Sequence, residues 1–228
     1  MTLPPPDLDL LERWLRGWSL ARGLPLPRHQ HGGLLVEVGR PDQLRRHLFV
    51  DAGAALQQCA ATIDAPRVFI KATVLPAQLR AALPARWQIE SVRHLMGRDG
   101  PMACAPIPPG YTAAVAREHG ASVVRLLDDA GQVAASGAVV IDGATAIFDN
   151  IDTAAAHRRR GLGRALMGAL DALARQAGVS ERLLVATDAG RALYLQLGWQ
   201  VLAPYATAVL KDAPFGRLAG ASLRWRQH

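Results

Sequence analysis

Lysine is nearly absent from this chain: of 26 basic residues only Lys71 and Lys211 are lysines, and the rest are arginines. Cysteine is scarce too. Cys59 and Cys104 stand alone, with no C-x-x-C pair and no histidine at ligand spacing, so neither a disulfide scaffold nor a zinc site is implied. Each sits among small or apolar residues, where a free thiol behaves as a buried hydrophobe. His29-Gln30-His31 reads as a loop rather than a metal site, and no metal is expected. Aromatic residues make up only 5% of the chain and do not interleave with basic ones, which argues against a nucleic-acid surface. No apolar run approaches the roughly 18 residues of a membrane span. Met1-Thr2-Leu3-Pro4-Pro5-Pro6-Asp7 has neither the basic nor the apolar region of a secretory signal, so the expected compartment is the cytoplasm.

What remains is a chain of 228 residues, 50% hydrophobic and 20% charged, enough for one large domain or two small ones with a real core. The net charge of +7 fits nucleic acid, an anionic cofactor or an acidic partner, and equally a genome rich in Arg codons. The densest cluster is Arg158-Arg159-Arg160, with Arg164 close behind.

Apolar spacing at Leu8, Leu11, Trp14, Leu15 and Trp18 predicts an amphipathic helix over 8–22, ended by Pro25 and Pro27. Strand character over 33–38 and 47–50, a helix over 54–63, a strand over 67–72, a helix over 75–83 and a strand over 87–96 follow. The segment 98–110 carries Gly100, Pro101, Pro106, Pro108, Pro109 and Gly110 and reads as a linker. Four successive strands are expected over 111–117, 122–127, 133–141 and 144–151, the later ones joined by Asp128-Asp129-Ala130-Gly131 and Asp142-Gly143 turns. A long helix over 163–178, a strand over 183–186, a helix over 189–197 and a strand over 199–211 complete an α/β chain with a mixed sheet.

Chemistry concentrates between Ile151 and Leu166. A strand runs into a loop with Gly161 and Gly163 that opens a helix. Glycines let consecutive backbone N–H groups point into one concavity, the helix N-terminus adds partial positive charge, and the arginines favour a polyanion. The third glycine of a dinucleotide fingerprint is missing, because Leu166 stands there, and no P-loop run exists. The pattern that fits is R-x-x-G-x-G at Arg158, Gly161 and Gly163, which resembles the coenzyme A pyrophosphate loop of the GNAT superfamily of N-acyltransferases. Ala192-Leu193-Tyr194-Leu195-Gln196-Leu197-Gly198-Trp199 resembles that superfamily's second signature, in the same order along the chain.

The resemblance implies a mixed, mostly antiparallel sheet flanked by helices, and an enzyme that moves an acetyl group from acetyl-CoA to a primary amine of a small molecule or peptide. By the same resemblance Tyr194 is the general acid at the departing sulfur. The backbone N–H of Ile151 or Thr153 polarises the thioester, and Arg158, Arg159, Arg160, Gly161, Leu162, Gly163 and Arg164 hold the pyrophosphate. Thr187 stands where family members often place an asparagine against the pantetheine. The general base is open: Asp149 and Asp152 lie at the strand end on opposite sides. The alternative of another class is a non-catalytic acyl-CoA-binding module used for regulation, which the presence of Tyr194 disfavours. Neither nucleic acid nor membrane is an expected partner, the chain being a monomer or a homodimer, and the basic balance hints at an anionic acceptor.

The first half repeats the second. Arg67-Val68-Phe69-Ile70-Lys71-Ala72-Thr73 parallels Arg182 to Thr187, and Trp87-Gln88-Ile89 parallels Trp199-Gln200-Val201 at nearly constant offset. The expected organisation is a pseudo-duplicated, tandem one: a degenerate GNAT-like half over 1–98, a linker over 99–110 and a catalytic half over 111–228. Only Asp51-Ala52-Gly53-Ala54 stands where the first half would need its cofactor loop, and Leu79 or Arg80 where it would need its tyrosine. Two helices that the family places between its first two strands, walling the acceptor site, have no counterpart at Glu118-His119-Gly120-Ala121. The first half is expected to supply that wall, with Trp14, Trp18 and Trp87 as candidate lining or core residues.

Overall fold

The computed structural model describes residues 6–103 and 105–211. Cys104, the first five residues and the stretch 212–228 of the expected catalytic half lie outside the described residues.

The first half runs α1 (Leu8–Leu20), β1 (Arg28–Gln30), β2 (Gly33–Arg40), β3 (Gln43–Phe49), α2 (Ala54–Thr62), β4 (Val68–Ala72), α3 (Pro76–Ala82), β5 (Trp87–Ile89) and β6 (Arg93–Asp99). The second runs β7 (Tyr111–Glu118), β8 (Ala121–Asp128), β9 (Val133–Asp142), β10 (Thr145–Thr153), a short 3-10 turn (Ala155–His157), α4 (Leu162–Gln176), β11 (Glu181–Ala186), α5 (Asp188–Gln196) and β12 (Gln200–Leu210). Local chemistry sets the boundaries. The Asp7 side chain caps α1 by accepting the Leu10 N–H at 2.8 Å. Asp128 turns the β8–β9 hairpin by accepting the N–H groups of Ala130 (3.0 Å) and Gln132 (2.8 Å).

All twelve strands join one sheet, ordered β1-β2-β3-β4-β12-β6-β11-β10-β9-β8-β7, with β5 pairing β12 off this path. It is mixed and mostly antiparallel; β3–β4 and β10–β11 are the parallel pairs. Each half therefore contains an antiparallel pair, a helix and a parallel return strand in the same order, which is the pseudo-duplicated arrangement.

The expected single strand over 87–96 is divided in two. Trp87–Ile89 pairs with the end of β12, while Arg93–Asp99 lies between β11 and the start of β12. In exchange, Ala206–Leu210 of β12 pairs with β4. Each half thus lends its last strand to the other, and neither closes its own sheet. Trp87 and Trp199, at equivalent positions, are both buried, one in each of two core clusters.

A third core cluster joins the halves. Leu10, Leu11, Trp14, Leu15 and Trp18 of α1 pack on Ala138, Val140, Ile147 and Leu183 of the second half. At roughly 2 kcal/mol per buried large side chain, this face contributes on the order of 10 kcal/mol before chain entropy is subtracted. Gly17 allows the approach: a Cβ there would lie 2.4 Å from Ile147 Cγ1. Arg13 pairs with Glu181 (2.9 Å) and Arg16 with Asp142 (2.8 Å), orienting the helix. So α1 covers the sheet face that the short β7–β8 turn leaves bare. Among the described residues no helix is long and apolar enough to cross a membrane.

Candidate active site

The site begins where β10 parts from its neighbours. Its parallel register with β11 covers only Thr145–Ile147 against Glu181–Leu183. On the other side the register with β9 shifts between Asp149 and Asp152, and Asn150 takes a left-handed φ of 53°. The Ala154 N–H bonds to the Ala134 carbonyl at 2.9 Å. By the alternation of an antiparallel ladder, Thr153 turns its own N–H and C=O away from β9, toward the gap. In the first half, β3 and β4 stay paired over five positions, Arg45–Phe49 against Val68–Ala72, and no fork opens. There the N–H of Gly53, at the start of α2, is taken by the Asp51 carboxylate at 2.8 Å.

The fork leads into a cleft of about 770 Å³. Ile151, Asp152 and Thr153 line it from β10, and Arg158, Arg159, Gly161, Leu162, Gly163 and Arg164 from the loop and the start of α4. Thr187, Ala189, Gly190, Leu193, Tyr194 and Gln196 close it from α5. Gly161 is the α4 N-cap with φ 82° and supplies no side-chain cap. Ala165 makes the first intrahelical bond, to Gly161 O at 3.1 Å. The N–H groups of Leu162, Gly163 and Arg164 have no acceptor within the helix and face the cleft as a cradle for an anion.

The two glycines serve different ends. Gly161 is needed for its left-handed backbone; a Cβ there would meet nothing closer than Pro108 Cγ at 3.7 Å. At Gly163 the constraint is packing: its Cβ would lie 2.9 Å from Leu193 Cδ2, so that methyl would have to turn aside.

The arginines divide similarly. Arg158 Nε donates to the Thr153 carbonyl (3.1 Å) and ties the loop to the strand end, while Arg164 donates to Gln196 Oε1 at 3.2 Å. Arg160 is not brought into the cleft. Left-handed turns at Arg159 and Gly161 carry its side chain outward, where it donates to the Tyr111 hydroxyl at 3.1 Å. Leu162 presents its backbone; its side chain is in the core. Thr187 caps α5 by accepting the Gly190 N–H at 3.2 Å, which leaves its own proton to donate.

Tyr194 stands in the wall between this cleft and a smaller cavity on the other side of the fork. It is 6% exposed, packs against Trp199 at 6.2 Å, and burial pushes its hydroxyl up to about 12. A Cβ on Gly190 would lie 3.0 Å from its ring. The two candidate carboxylates lie apart: Asp152 lines the cleft, and Asp149 faces the second cavity, ion-paired with Arg22. Ala189, Gly190, Leu193 and Gln196 were not singled out as site residues from the sequence; of these, Gly190 follows from helical spacing, one turn before Tyr194. Neither were Arg22, Arg46, Lys71 and Arg93, which the first half brings to the second cavity. Lys71, a lone lysine inside the apolar strand Val68–Ala72, was the visible signal.

Among the described residues no group of three or more His, Cys, Asp and Glu side chains is arranged to hold a metal. His29 is engaged by Glu12 at 2.8 Å, and Cys59 is buried with its thiol pushed up to about 11.

A family profile described as an acetyltransferase (GNAT) domain matches residues 117–201. No curated protein matches the chain. Similar solved structures include a GCN5-related N-acetyltransferase from Kribbella flavida, 17% identical, covering 89% of this chain and 94% of that one with a TM-score of 0.59. A GCN5-related N-acetyltransferase from Sphaerobacter thermophilus is 12% identical over 92% of this chain and 96% of that one, at 0.56. A tandem GNAT protein of the clavulanic acid biosynthesis pathway is 18% identical over 79% and 74%, at 0.53. At these identities the likeness is one of fold, and it extends to a tandem arrangement.

Proposed function

We propose that this chain, whose residues 117–201 match a GNAT acetyltransferase profile, is an N-acetyltransferase that moves an acetyl group from acetyl-CoA to the primary amine of a small molecule or peptide. The observation that carries this reading is the meeting of three features in one cleft: the open β10–β11 fork, the uncapped start of α4, and Tyr194.

The residues present fit the cofactor. The N–H groups of Leu162, Gly163 and Arg164, with Arg158, Arg159 and Arg164, would hold the pyrophosphate, and Thr187 would donate to the pantetheine arm. When bound, acetyl-CoA supplies an acetyl group activated as a thioester. The N–H of Ile151 or Thr153 stabilises charge building on the carbonyl oxygen. An amine arriving deprotonated forms the C–N bond as the C–S bond breaks. The electron pair leaves with sulfur, Tyr194 donates a hydrogen bond to it, and the amine's extra proton passes to water. The working half is residues 111–228, with 1–98 the structural half and 99–110 the connection.

Acetyl-CoA and free CoA, but not NADH, should raise the melting temperature, and thiol should be released once an amine is added. At about 100 times its dissociation constant a ligand stabilises by roughly 2.7 kcal/mol, a readily measured shift. No shift with either CoA species refutes the reading. A shift without thiol release across a broad amine panel refutes the enzyme and leaves a binding module.

A further inference from the structure

On the second side of the fork two adjoining pockets, an inner and an outer part, share Arg22, Arg93, Asp149 and Val185. The inner part, about 150 Å³, reaches Tyr194 and Ile151 and is bounded by Asp149, Arg22 and Arg93. The outer part, about 340 Å³, shares Arg22, Arg93 and Asp149 and continues past Arg40 to Arg46, Lys71 and Tyr205. Five cationic side chains thus line it against two carboxylates, Asp42 and Asp149. Asp149 is consumed by its pair with Arg22, and Asp42 sits exposed at the rim.

The deepest groups are paired with no anion among the described residues. Lys71 is 6% exposed; its ammonium donates to Thr207 Oγ1 at 2.8 Å and lies 5.5 Å from the centre of the Tyr205 ring. Arg46, 9% exposed, is stacked 3.6 Å over Trp18 and donates to Gln43 Oε1 at 3.2 Å, while its Nε has no partner. The Tyr205 hydroxyl, in a residue 1% exposed, has none either. Around Lys71, Arg46 and Arg93 repel its charge, and the carboxylate that attracts it, Glu90, is itself paired with Lys211. Burial lowers Arg46 to about 10 and Lys71 well below the ordinary lysine range. Neighbouring buried cations without a counter-charge are costly to keep. A ligand that brings the missing charge offsets that cost.

Resting on the acetyltransferase reading, we propose that this cavity is the acceptor pocket and that the acceptor is a small amine carrying an anionic group, a carboxylate or a phosphate. Lys71, Arg46 and the Tyr205 hydroxyl take the anion. Arg93 closes the mouth, and the inner part sets the amine beside Tyr194, where the transfer described above takes place. The pocket exists only because the halves meet: Arg46 and Lys71 come from β3 and β4, Tyr205 from β12.

The test uses the full-length protein with saturating acetyl-CoA. ω-Amino carboxylates and ω-aminoalkyl phosphonates of graded length are compared with alkylamines and diamines of the same length. The anion-bearing member of at least one series should show a kcat/KM about 10-fold or more above its uncharged partner, the factor of one charge-assisted hydrogen bond. Which anion gains more identifies the source. Alkylamines or diamines that react equally well or better overturn the proposal.

Lys71→Met removes the buried charge at similar volume. It should abolish the anion's advantage while raising the melting temperature of the free protein. A lowered melting temperature would make Lys71 a support of the fold and overturn its role. Arg93→Gln, at the exposed mouth, should raise KM for the anionic acceptor with kcat nearly unchanged. Independently of catalysis, inorganic phosphate or glutarate at millimolar concentration should raise the melting temperature of the wild type and not of Lys71→Met; no shift with either overturns the pocket. If acetyl-CoA itself fails to bind, the acetyltransferase reading falls, and this arm still decides whether the anion site exists.

Discussion

Replacing Tyr194 by Phe removes one hydroxyl from the wall between cleft and acceptor cavity, and the structure fixes how large the effect should be. Burial pushes that hydroxyl up to about 12, whereas an ordinary thiol ionises near 8.5. Complete proton transfer from tyrosine to a departing thiolate is then uphill by roughly 5 kcal/mol, so the hydroxyl acts mainly by donating a hydrogen bond. A hydrogen bond to a charged acceptor is worth about 1.5–3 kcal/mol, which corresponds to a fall in kcat of roughly 10- to 150-fold. Because the hydroxyl stays protonated well above neutral pH, the loss should be the same from neutral to mildly alkaline conditions. Acetyl-CoA affinity should stay within a few-fold and the melting temperature should hardly move, since the hydroxyl has no hydrogen-bond partner among the described residues. The assay is thiol release from acetyl-CoA with the best acceptor amine, followed against pH. An unchanged kcat refutes the reasoning. So does a loss confined to cofactor affinity, which would make the tyrosine a packing residue.

Three further outcomes are expected. Gly161→Val places a β-branched residue at φ 82° with free space around its Cβ; it should cost about 1–2 kcal/mol of stability, leave the chain folded and abolish acetyl-CoA binding by calorimetry. Gly17→Ala gains about 1 kcal/mol in helix propensity, yet its Cβ would collide with Ile147. The melting temperature should fall, and a rise would contradict the docking of α1 on the second half's sheet. His47 is buried beside the Cys59 sulfur (3.5 Å), and burial lowers it from 6.5 to about 4. Its stability contribution is complete above pH 6.5 and is lost as the pH falls toward 4, by about 2–3 kcal/mol at pH 4.5. Urea midpoints at pH 7 and 4.5 should converge in His47→Gln relative to the wild type; an identical pH dependence in the two proteins would contradict the assignment.

Much of the second half was legible because its signals are local. Asp-Gly turns, alternating strands, the R-x-x-G-x-G loop and the tyrosine on its helix each depend on neighbours a few residues away. The exchange of β6 and β12 was not legible, since Trp87–Met96 alternates as one strand whichever sheet it joins, and register is set by partners far along the chain. Arg160 looked equivalent to Arg158 and Arg159 in the sequence; only the left-handed backbone on either side of it sends it to Tyr111. The reason for Gly163 was legible as a loop requirement, but the structure gives it to Leu193 packing. The acceptor cavity was hidden most deeply, because α1, β3, β4 and β12 each contribute one or two of its walls.

The account stands on one claim: the second half alone binds the cofactor, and the first half, with its closed β3–β4 pair, binds none. Isothermal titration of the full-length chain with acetyl-CoA tests it directly. One molecule bound per chain, with binding lost in Gly161→Val, is the predicted result. Two molecules per chain, none, or one that Gly161→Val leaves intact would contradict it.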